Sequence, residues 1–390
     1  MTERLEAPWM HREDLAALVV ALGPGEVRFV GGAVRDALLE LPVKDIDMAT
    51  RHVPEAVIAR LDAAGIRHVP TGIEHGTVTA LLAGGPVEIT TLRRDVTTDG
   101  RRATVAFSDD WREDAARRDF TINALYAEPG SGVIHDYFDG LADLASRHVR
   151  FIGDARQRIR EDHLRILRYF RFQARFGSQP ADNEAEGSCA ELAPMLKGLS
   201  RERVGMEMMN LLGLPDPAPT VQRMAELEVL AVILPEAEPE RLAALVRAEQ
   251  AQGVAPDPIR RLAALLPPLV PLAEQVAARF RLSAAQKKRL AVAAAREAEP
   301  GDTRALAYRL GREGALDRLL IAGADTGALD GWDIPKFPLK GGEIVARGVG
   351  AGPEVARVLR TVETAWVAEG FPGRERVEAL LDAVLAAGPS

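Results

Sequence analysis

The stretch Arg28-Phe29-Val30-Gly31-Gly32-Ala33-Val34-Arg35-Asp36, followed nine residues later by Asp45-Ile46-Asp47, decides how the first part of the chain is read. Val27 to Gly31 has the apolar, β-branched character of a short strand and Ala33 to Leu41 that of a helix, so Gly31 and Gly32 fall on a strand-to-helix turn. Having no Cβ, the two glycines let backbone N–H groups come close to a phosphate chain, and the helix start adds the positive end of its dipole. Asp45 and Asp47 are separated by one residue, which in a strand puts both carboxylates on one face. Paired carboxylates repel unless a cation lies between them, and hard oxygen ligands beside a phosphate favour Mg²⁺. Taken singly, Gly-Gly is most often a plain turn and Asp-x-Asp a solvated strand edge or cap. Together, in this order, they predict a site that holds a triphosphate with Mg²⁺.

A third acid extends the pattern. Glu88 interrupts the β-rich run Val87 to Leu92. On an edge strand it would face solvent, but on a strand beside Asp45 and Asp47 it would complete a three-carboxylate cluster for two metal ions.

The remainder of the chain bounds the possibilities. Its 390 residues exceed the usual size of one core, so at least two domains are expected. A composition 47% apolar and 27% charged is that of an ordinary soluble globular protein. The amino terminus lacks the apolar core of a signal peptide, and prolines interrupt the longest apolar stretch, Leu262 to Ala278, so no membrane partner is expected. Cys189 is the only cysteine. Disulfide frameworks and cysteine zinc sites are thereby excluded, and a cytoplasmic protein with one inert thiol is expected. The net charge of −8 argues against a broadly basic nucleic-acid coat. Between Arg147 and Arg175, however, nine arginines face three acids (Asp154, Glu161, Asp162), a local balance of 9 − 3 = +6. An arginine-only cationic segment suits phosphate and base contacts better than a solvated helix face does.

Up to about Gly153 the chain alternates strand and helix signals and reads as a mixed α/β domain. The strand candidates are Val27 to Gly31, Asp45 to Ala49, Thr77 to Leu82, Val87 to Leu92 and Ala103 to Phe107, with helices over Ala33 to Leu41 and Pro54 to Ala64. Beyond Asp154 the sequence is rich in Ala, Leu, Arg and Glu and reads as nearly all helical, with breaks at Pro215 to Pro219, Pro235 to Pro239, Pro256 to Pro258 and Ala298 to Gly301; Asp330 to Gly342 leads into a last helical piece. A single helix over Ala155 to Phe176 would turn Ile159, Ile166, Leu167, Phe170 and Ala174 to a core. It would leave Arg158, Glu161, Asp162, Arg165, Arg168, Tyr169 and Phe172 on the opposite, charged and partly aromatic surface. Asp162 and Arg165, three apart on such a helix, would ordinarily be a surface salt bridge.

Five ordered motifs carry a resemblance. They are Gly31 to Asp36 with Asp45-Ile46-Asp47; His75-Gly76-Thr77; Glu88 to Arg93; Arg117-Arg118-Asp119-Phe120-Thr121-Ile122-Asn123-Ala124; and Glu161 to Arg168, with a weaker continuation through Glu202-Arg203-Val204 and Glu207. The series resembles that of class II CCA-adding tRNA nucleotidyltransferases and their poly(A) polymerase relatives. It is dense from Val27 to Gly177, and Gly348 to Val358 resembles a family tail segment. The resemblance implies an α+β protein of seahorse-like architecture. A catalytic head with a small mixed sheet (1–153) would precede an all-α neck (154–214), body (215–330) and tail (331–390). It also implies that Asp45 and Asp47 bind Mg²⁺, with Glu88 assisting. Gly31, Gly32, Arg35, Arg118 and Asp119 would meet the incoming nucleotide, and Asp162, Arg165, Arg168 and Arg171 would bind it from the neck. With no histidine after His163, the histidine-aspartate domain of some relatives is not expected.

With the resemblance in view, the Asp162–Arg165 pair reads differently. Cytosine and adenine each present an amine donor beside a ring-nitrogen acceptor; guanine and uracil present the reverse. A carboxylate only accepts and a guanidinium only donates, so the pair complements C and A. The expected activity is template-independent addition of CCA to the 3′ end of tRNA from CTP and ATP. The long polar segment Arg93 to Trp111 resembles the flexible loop used when switching from C to A. A poly(A) polymerase using ATP alone is the alternative, although such relatives often carry a longer basic tail. An inactive RNA-binding relative is disfavoured by the presence of every proposed ligand.

Overall fold

The computed structural model describes residues 3–98, 103–296 and 302–387, and the chain forms two compact units, Met1–Pro235 and Glu236–Ser390. The first is built on a seven-stranded sheet. Its strands are β1 (Val27–Val30), β2 (Ile46–Thr50), β3 (His68–Gly72), β4 (Thr77–Leu82), β5 (Gly85–Thr91), β8 (Leu125–Ala127) and β9 (Ile134–Asp136), in the order β3-β4-β5-β2-β1-β8-β9. Only β2 and β5 run parallel; the other neighbours are antiparallel. Between β5 and β8 a separate two-stranded ribbon is formed by β6 (Arg93–Thr98) and β7 (Ala103–Phe107).

Helices α1 (Glu13–Leu22), α2 (Gly32–Leu38), α3 (Pro54–Ala63), α4 (Trp111–Ala116) and α5 (Gly140–Ala145) belong to the same region. The core covers both faces of the sheet. In β1 and β2 the neighbours Phe29–Val30 and Met48–Ala49 are buried on opposite faces, Val30 and Ala49 among Leu92, Trp111, Ala115 and Tyr126, while Asp47 is partly buried between buried neighbours. Leu15, Leu18 and Leu22 on α1, and Val57 and Leu61 on α3, supply the helical faces at three- and four-residue spacing.

The sequence-based boundaries of the strands and of α2 and α3 hold to within about three residues, the range expected where ends fray. Two expectations fail. Arg93 to Trp111 is chiefly the β6–β7 ribbon rather than a loop, although its Asp99-Gly100 lies outside the described residues. The helix proposed over Ala155 to Phe176 is two helices, α6 (Ala155–Glu161) and α7 (Arg165–Phe176). Asp162 between them has φ −152° and ψ 106°, an extended conformation that ends α6.

The break invalidates a single helical wheel across the segment. Ile159, Ile166, Leu167 and Phe170 are buried as expected, but Ala174 is only partly so. Tyr169 and Phe172, assigned to the outer surface, are buried as well. They stack among Phe120, Phe151 and Phe176, so α7 is covered on more than one side. Helices α8 (Asn183–Leu192), α9 (Arg201–Leu212), α10 (Ala218–Glu226) and α11 (Val229–Ile233) complete the unit, with Cys189 buried and unpaired on α8.

The second unit is helical among its described residues: α12 (Pro239–Ala251), α13 (Pro258–Leu265), α14 (Val270–Arg279), α15 (Ala284–Ala294), α16 (Thr303–Ile321), α17 (Gly341–Ala346), α18 (Pro353–Ala368) and α19 (Arg374–Ala386). Prolines at the first turn start α12, α13 and α18, where a missing N–H costs nothing. The proposed break at Ala298 to Gly301 lies outside the described residues. Arg260 and Arg261 are buried, paired with Glu249 and Asp317, so the charges inside this unit are compensated. Among the described residues no helix is long and apolar enough to cross a membrane.

Candidate active site

Gly31 has φ +69° and ψ −123°, a conformation that requires glycine. Its N–H is spent inside the sheet, donating to Leu125 O at 3.1 Å, so this residue contributes space to the turn rather than a donor. Two guanidinium groups come up to the turn, one beside each glycine. A Cβ on Gly31 would lie 3.3 Å from Arg118 Nη1, and one on Gly32 3.7 Å from Arg35 Nη2. Arg35 is buried, held by Asp36 through Nε at 2.8 Å, with its guanidinium 4.2 Å from the ring centre of Phe176.

Asp45 immediately precedes β2 and Asp47 lies within it, directly opposite Glu88 in the parallel β2–β5 register. The condition placed on Glu88 is met: its strand lies beside theirs. The three acids line a cavity of about 270 Å³ together with Thr79. Burial raises the pKa of Asp47 to about 6; the nearby charges of Glu88 and Asp45 add to this, and Arg118 opposes it. Among the described residues no three His, Cys, Asp or Glu side chains are gathered closely enough to hold an ion by themselves. The donors fit Mg²⁺, which takes one or two carboxylates and completes its shell with water and substrate phosphates.

Asp114 on α4 organises the arginine pair. Its Oδ1 accepts from Arg117 Nε at 2.8 Å, and its Oδ2 from Arg118 Nη2 at 3.2 Å and from the Tyr126 hydroxyl at 2.7 Å. Burial alone would raise its pKa, but Arg118, Arg117 and the Tyr126 hydrogen bond outweigh it and hold the carboxyl at about 2. Asp119 accepts from Asn123 Nδ2 at 2.9 Å and from Arg168 Nε at 2.7 Å. It too is held at about 2: burial works against its charge, and Arg168 with the Asn123 hydrogen bond prevails.

Asp162 and Arg165 do not pair with each other. Asp162 Oδ1 accepts from Leu164 N at 3.1 Å and Oδ2 from Arg203 Nη2 at 2.6 Å, a residue of α9. Arg165 donates to Glu161 at 2.6 Å and to the carbonyls of Arg158 and Arg117 at 2.9 and 3.0 Å. The helix salt bridge is therefore not formed. The extended backbone at Asp162 turns its carboxylate away from the helix ladder, and neighbouring elements hold each side chain separately. Arg171 and Arg168 are steadied by Glu207 of α9, at 2.6 and 3.7 Å.

These groups converge on one cleft of about 760 Å³, lined by Gly31, Gly32, Arg35, Asp45, Asp47, Arg118, Asp119, Asp162, Arg165, Arg168 and Arg171. Of the proposed site residues only Glu88 lies outside it, in the adjoining cavity. The cleft also takes in Arg93, Arg117, Asn123 and Phe172, which sequence reading did not assign to the site. Asn123 and Arg117 stand within a quoted motif, and their charge or amide was the available signal. Phe172 was placed on the same charged, partly aromatic face as Arg165 and Arg168 but was given no role.

The family model described as the Poly A polymerase head domain matches residues 27–150, and one described as the probable RNA and SrmB-binding site of polymerase A matches residues 182–241. The chain is similar to the mitochondrial CCA tRNA nucleotidyltransferase 1 of Mus musculus, 34% identical over 365 residues, covering 89% of this chain and 84% of that protein. It is 44% identical over 189 residues to the CCA-adding enzyme of Leuconostoc citreum, 48% of this chain and 45% of the relative. Among solved structures, the Bacillus stearothermophilus CCA-adding enzyme in complex with CTP matches with a TM-score of 0.74 at 26% identity, over 98% of this chain and 99% of the other.

Proposed function

The chain belongs to the family of CCA-adding tRNA nucleotidyltransferases and their poly(A) polymerase relatives, and from this we propose that it adds C, C and A to tRNA 3′ ends from CTP and ATP, releasing pyrophosphate. The relatives named above are CCA-adding enzymes, which favours this reading over poly(A) addition and over an inactive RNA-binding relative. The observation that carries it is the sharing of one cleft by the Asp45–Asp47 pair and the Asp162–Arg165 pair. A group suited to phosphoryl transfer and a group suited to reading C and A face the same space.

The division of labour follows from the side chains. Phosphoryl transfer depends on charge neutralisation and in-line positioning more than on covalent catalysis. Arg35 beside Gly32 and Arg118 beside Gly31 hold the triphosphate through forked N–H donors. Asp45 and Asp47, with Glu88 beside Asp47, would hold Mg²⁺. Bound there, it supplies the charge that lowers the pKa of the attacking RNA 3′ hydroxyl and stabilises the leaving pyrophosphate. Asp162 accepts from the exocyclic amine of C or A while Arg165 donates to the ring nitrogen. Guanine and uracil would set donor against donor and acceptor against acceptor. A cytoplasmic setting is part of the proposal, in keeping with the single buried thiol, Cys189.

The test is incubation with a tRNA transcript lacking its 3′ CCA. CTP alone should extend it by two residues and CTP with ATP by three. Long ATP-only tails on a generic RNA would contradict the reading.

A further inference from the structure

Asn123 lies between two opposite charges of the cleft and bonds to both. It is 7% exposed. Its Oδ1 accepts from Arg35 Nη1, and its Nδ2 donates to Asp119 Oδ1 at 2.9 Å. The amide orientation is settled by the partners, since a guanidinium can only donate and a carboxylate can only accept. The arrangement belongs to a closed circuit. Arg168 on α7 pairs with Asp119, Asp119 with Asn123, Asn123 with Arg35, Arg35 with Asp36, and Asp36 with Arg175, again on α7. Asn123 is the one uncharged member of this circuit.

We infer that Asn123 is a positioning residue that keeps Arg35 and Asp119 apart, so that the Arg35 charge stays directed at the glycine turn for the triphosphate. Without the amide, opposite charges in a desolvated space attract strongly. Arg35 would swing its Nη1 edge to Asp119, and a guanidinium neutralised by a carboxylate binds phosphate poorly. The neighbouring geometry sets the direction of the effect. Arg35 Nη2 reaches the space beside Gly32, whereas Nη1 is the group held by Asn123. Loss of the restraint therefore acts on the phosphate-binding end of the cleft, alike for CTP and ATP, and not on the base-reading end at Asp162 and Arg165. Asn123 touches no reacting atom in this account; it works through Arg35.

This inference deepens the proposed reaction and rests on it, but one of its readouts is independent of turnover. The variants are Asn123→Ala and the nearly isosteric Asn123→Asp, which keeps the volume while replacing the donor to Asp119 with a second carboxylate. Inorganic tripolyphosphate with Mg²⁺ serves as the binding probe. Both variants should bind it about tenfold more weakly, and KM for CTP and ATP should rise by a similar factor with kcat within about threefold. Binding of a tRNA transcript and the choice among the four nucleotides should be unchanged. Unchanged tripolyphosphate affinity would overturn the inference, as would an Asn123→Asp variant with wild-type KM, which would mean that the amide only fills space. Should Asn123→Ala fail to fold, Asn123→Asp carries the test alone. An unmodified protein that incorporates no nucleotide would instead count against the proposed reaction, leaving the tripolyphosphate titration to decide the role of Asn123.

Discussion

Replacing Asp162 tests the base-reading assignment most directly. In the structure each oxygen of this carboxylate accepts one hydrogen bond, from Leu164 N and from Arg203 Nη2. A carboxylate offers about four lone-pair sites, so room remains for the exocyclic amine of a nucleotide. Arg165 uses three of its five N–H groups on Glu161, Arg158 and Arg117 and keeps others for a ring nitrogen. Asp162→Ala removes one base contact and leaves Arg203 without its carboxylate. A hydrogen bond to a charged group contributes about 1.5–3 kcal/mol, so kcat/KM for CTP and ATP should each fall by roughly 10- to 150-fold. UTP and GTP should fall much less, because the mismatch with the carboxylate disappears. Asp162→Asn is the sharper probe: its oxygen can stay with Arg203 and present the NH₂ to the base, favouring a carbonyl at that position. Arg203→Ala should slow CTP and ATP together while largely preserving selectivity, since the template atoms remain and only their restraint is lost. The exchanged pair, Arg at 162 with Asp at 165, should be inactive rather than switched, because a carboxylate at 165 would face two carbonyls and Glu161. Single-turnover incorporation of all four nucleotides measures each case. An Asp162→Ala variant with wild-type rate and selectivity would refute the reasoning.

Three further outcomes are expected. Asp45→Ala and Asp47→Ala should each lower incorporation of CTP and ATP alike, by about 100-fold or more, the scale on which one preorganised electrostatic contact acts, with tRNA binding retained in a filter or mobility-shift assay. Gly31→Ala forces a side chain into a glycine-only conformation and sets a Cβ 3.3 Å from Arg118 Nη1, so thermal unfolding should show a loss of about 1–3 kcal/mol together with weaker nucleotide binding. Asp114 and Asp119 have folded-state pKa values near 2, below those of the unfolded chain, so the stability they contribute, about 2 kcal/mol each, is present at neutral pH. It should disappear as pH falls from about 4 to 2, and Asp114→Asn should flatten that limb of a circular-dichroism acid titration; an unaltered limb would exclude Asp114 as its source.

What the sequence alone determined is the chemistry that local spacing can encode. A glycine pair after an apolar strand, two acids with one residue between them, an Arg-Arg-Asp run and prolines at helix starts each constrain their own neighbourhood, whatever the rest of the chain does. The structure accordingly leaves Gly31 at positive φ, Asp45 and Asp47 on shared cavities, and α12 and α13 starting at Pro239 and Pro258. Tertiary structure alone decided the pairings that cross long separations. Glu88 could have faced solvent; the parallel register of β2 with β5 set it opposite Asp47. Helical periodicity ran through Asp162 without a breaker such as Gly or Pro. There, Arg203 on α9 and the Arg117 carbonyl hold Asp162 and Arg165 apart, interactions that no window of the local sequence contains. The same reason hid Phe172 and Asn123. Whether a ring is buried or an amide separates two charges depends on which segments meet, and that is set by packing between elements tens of residues apart.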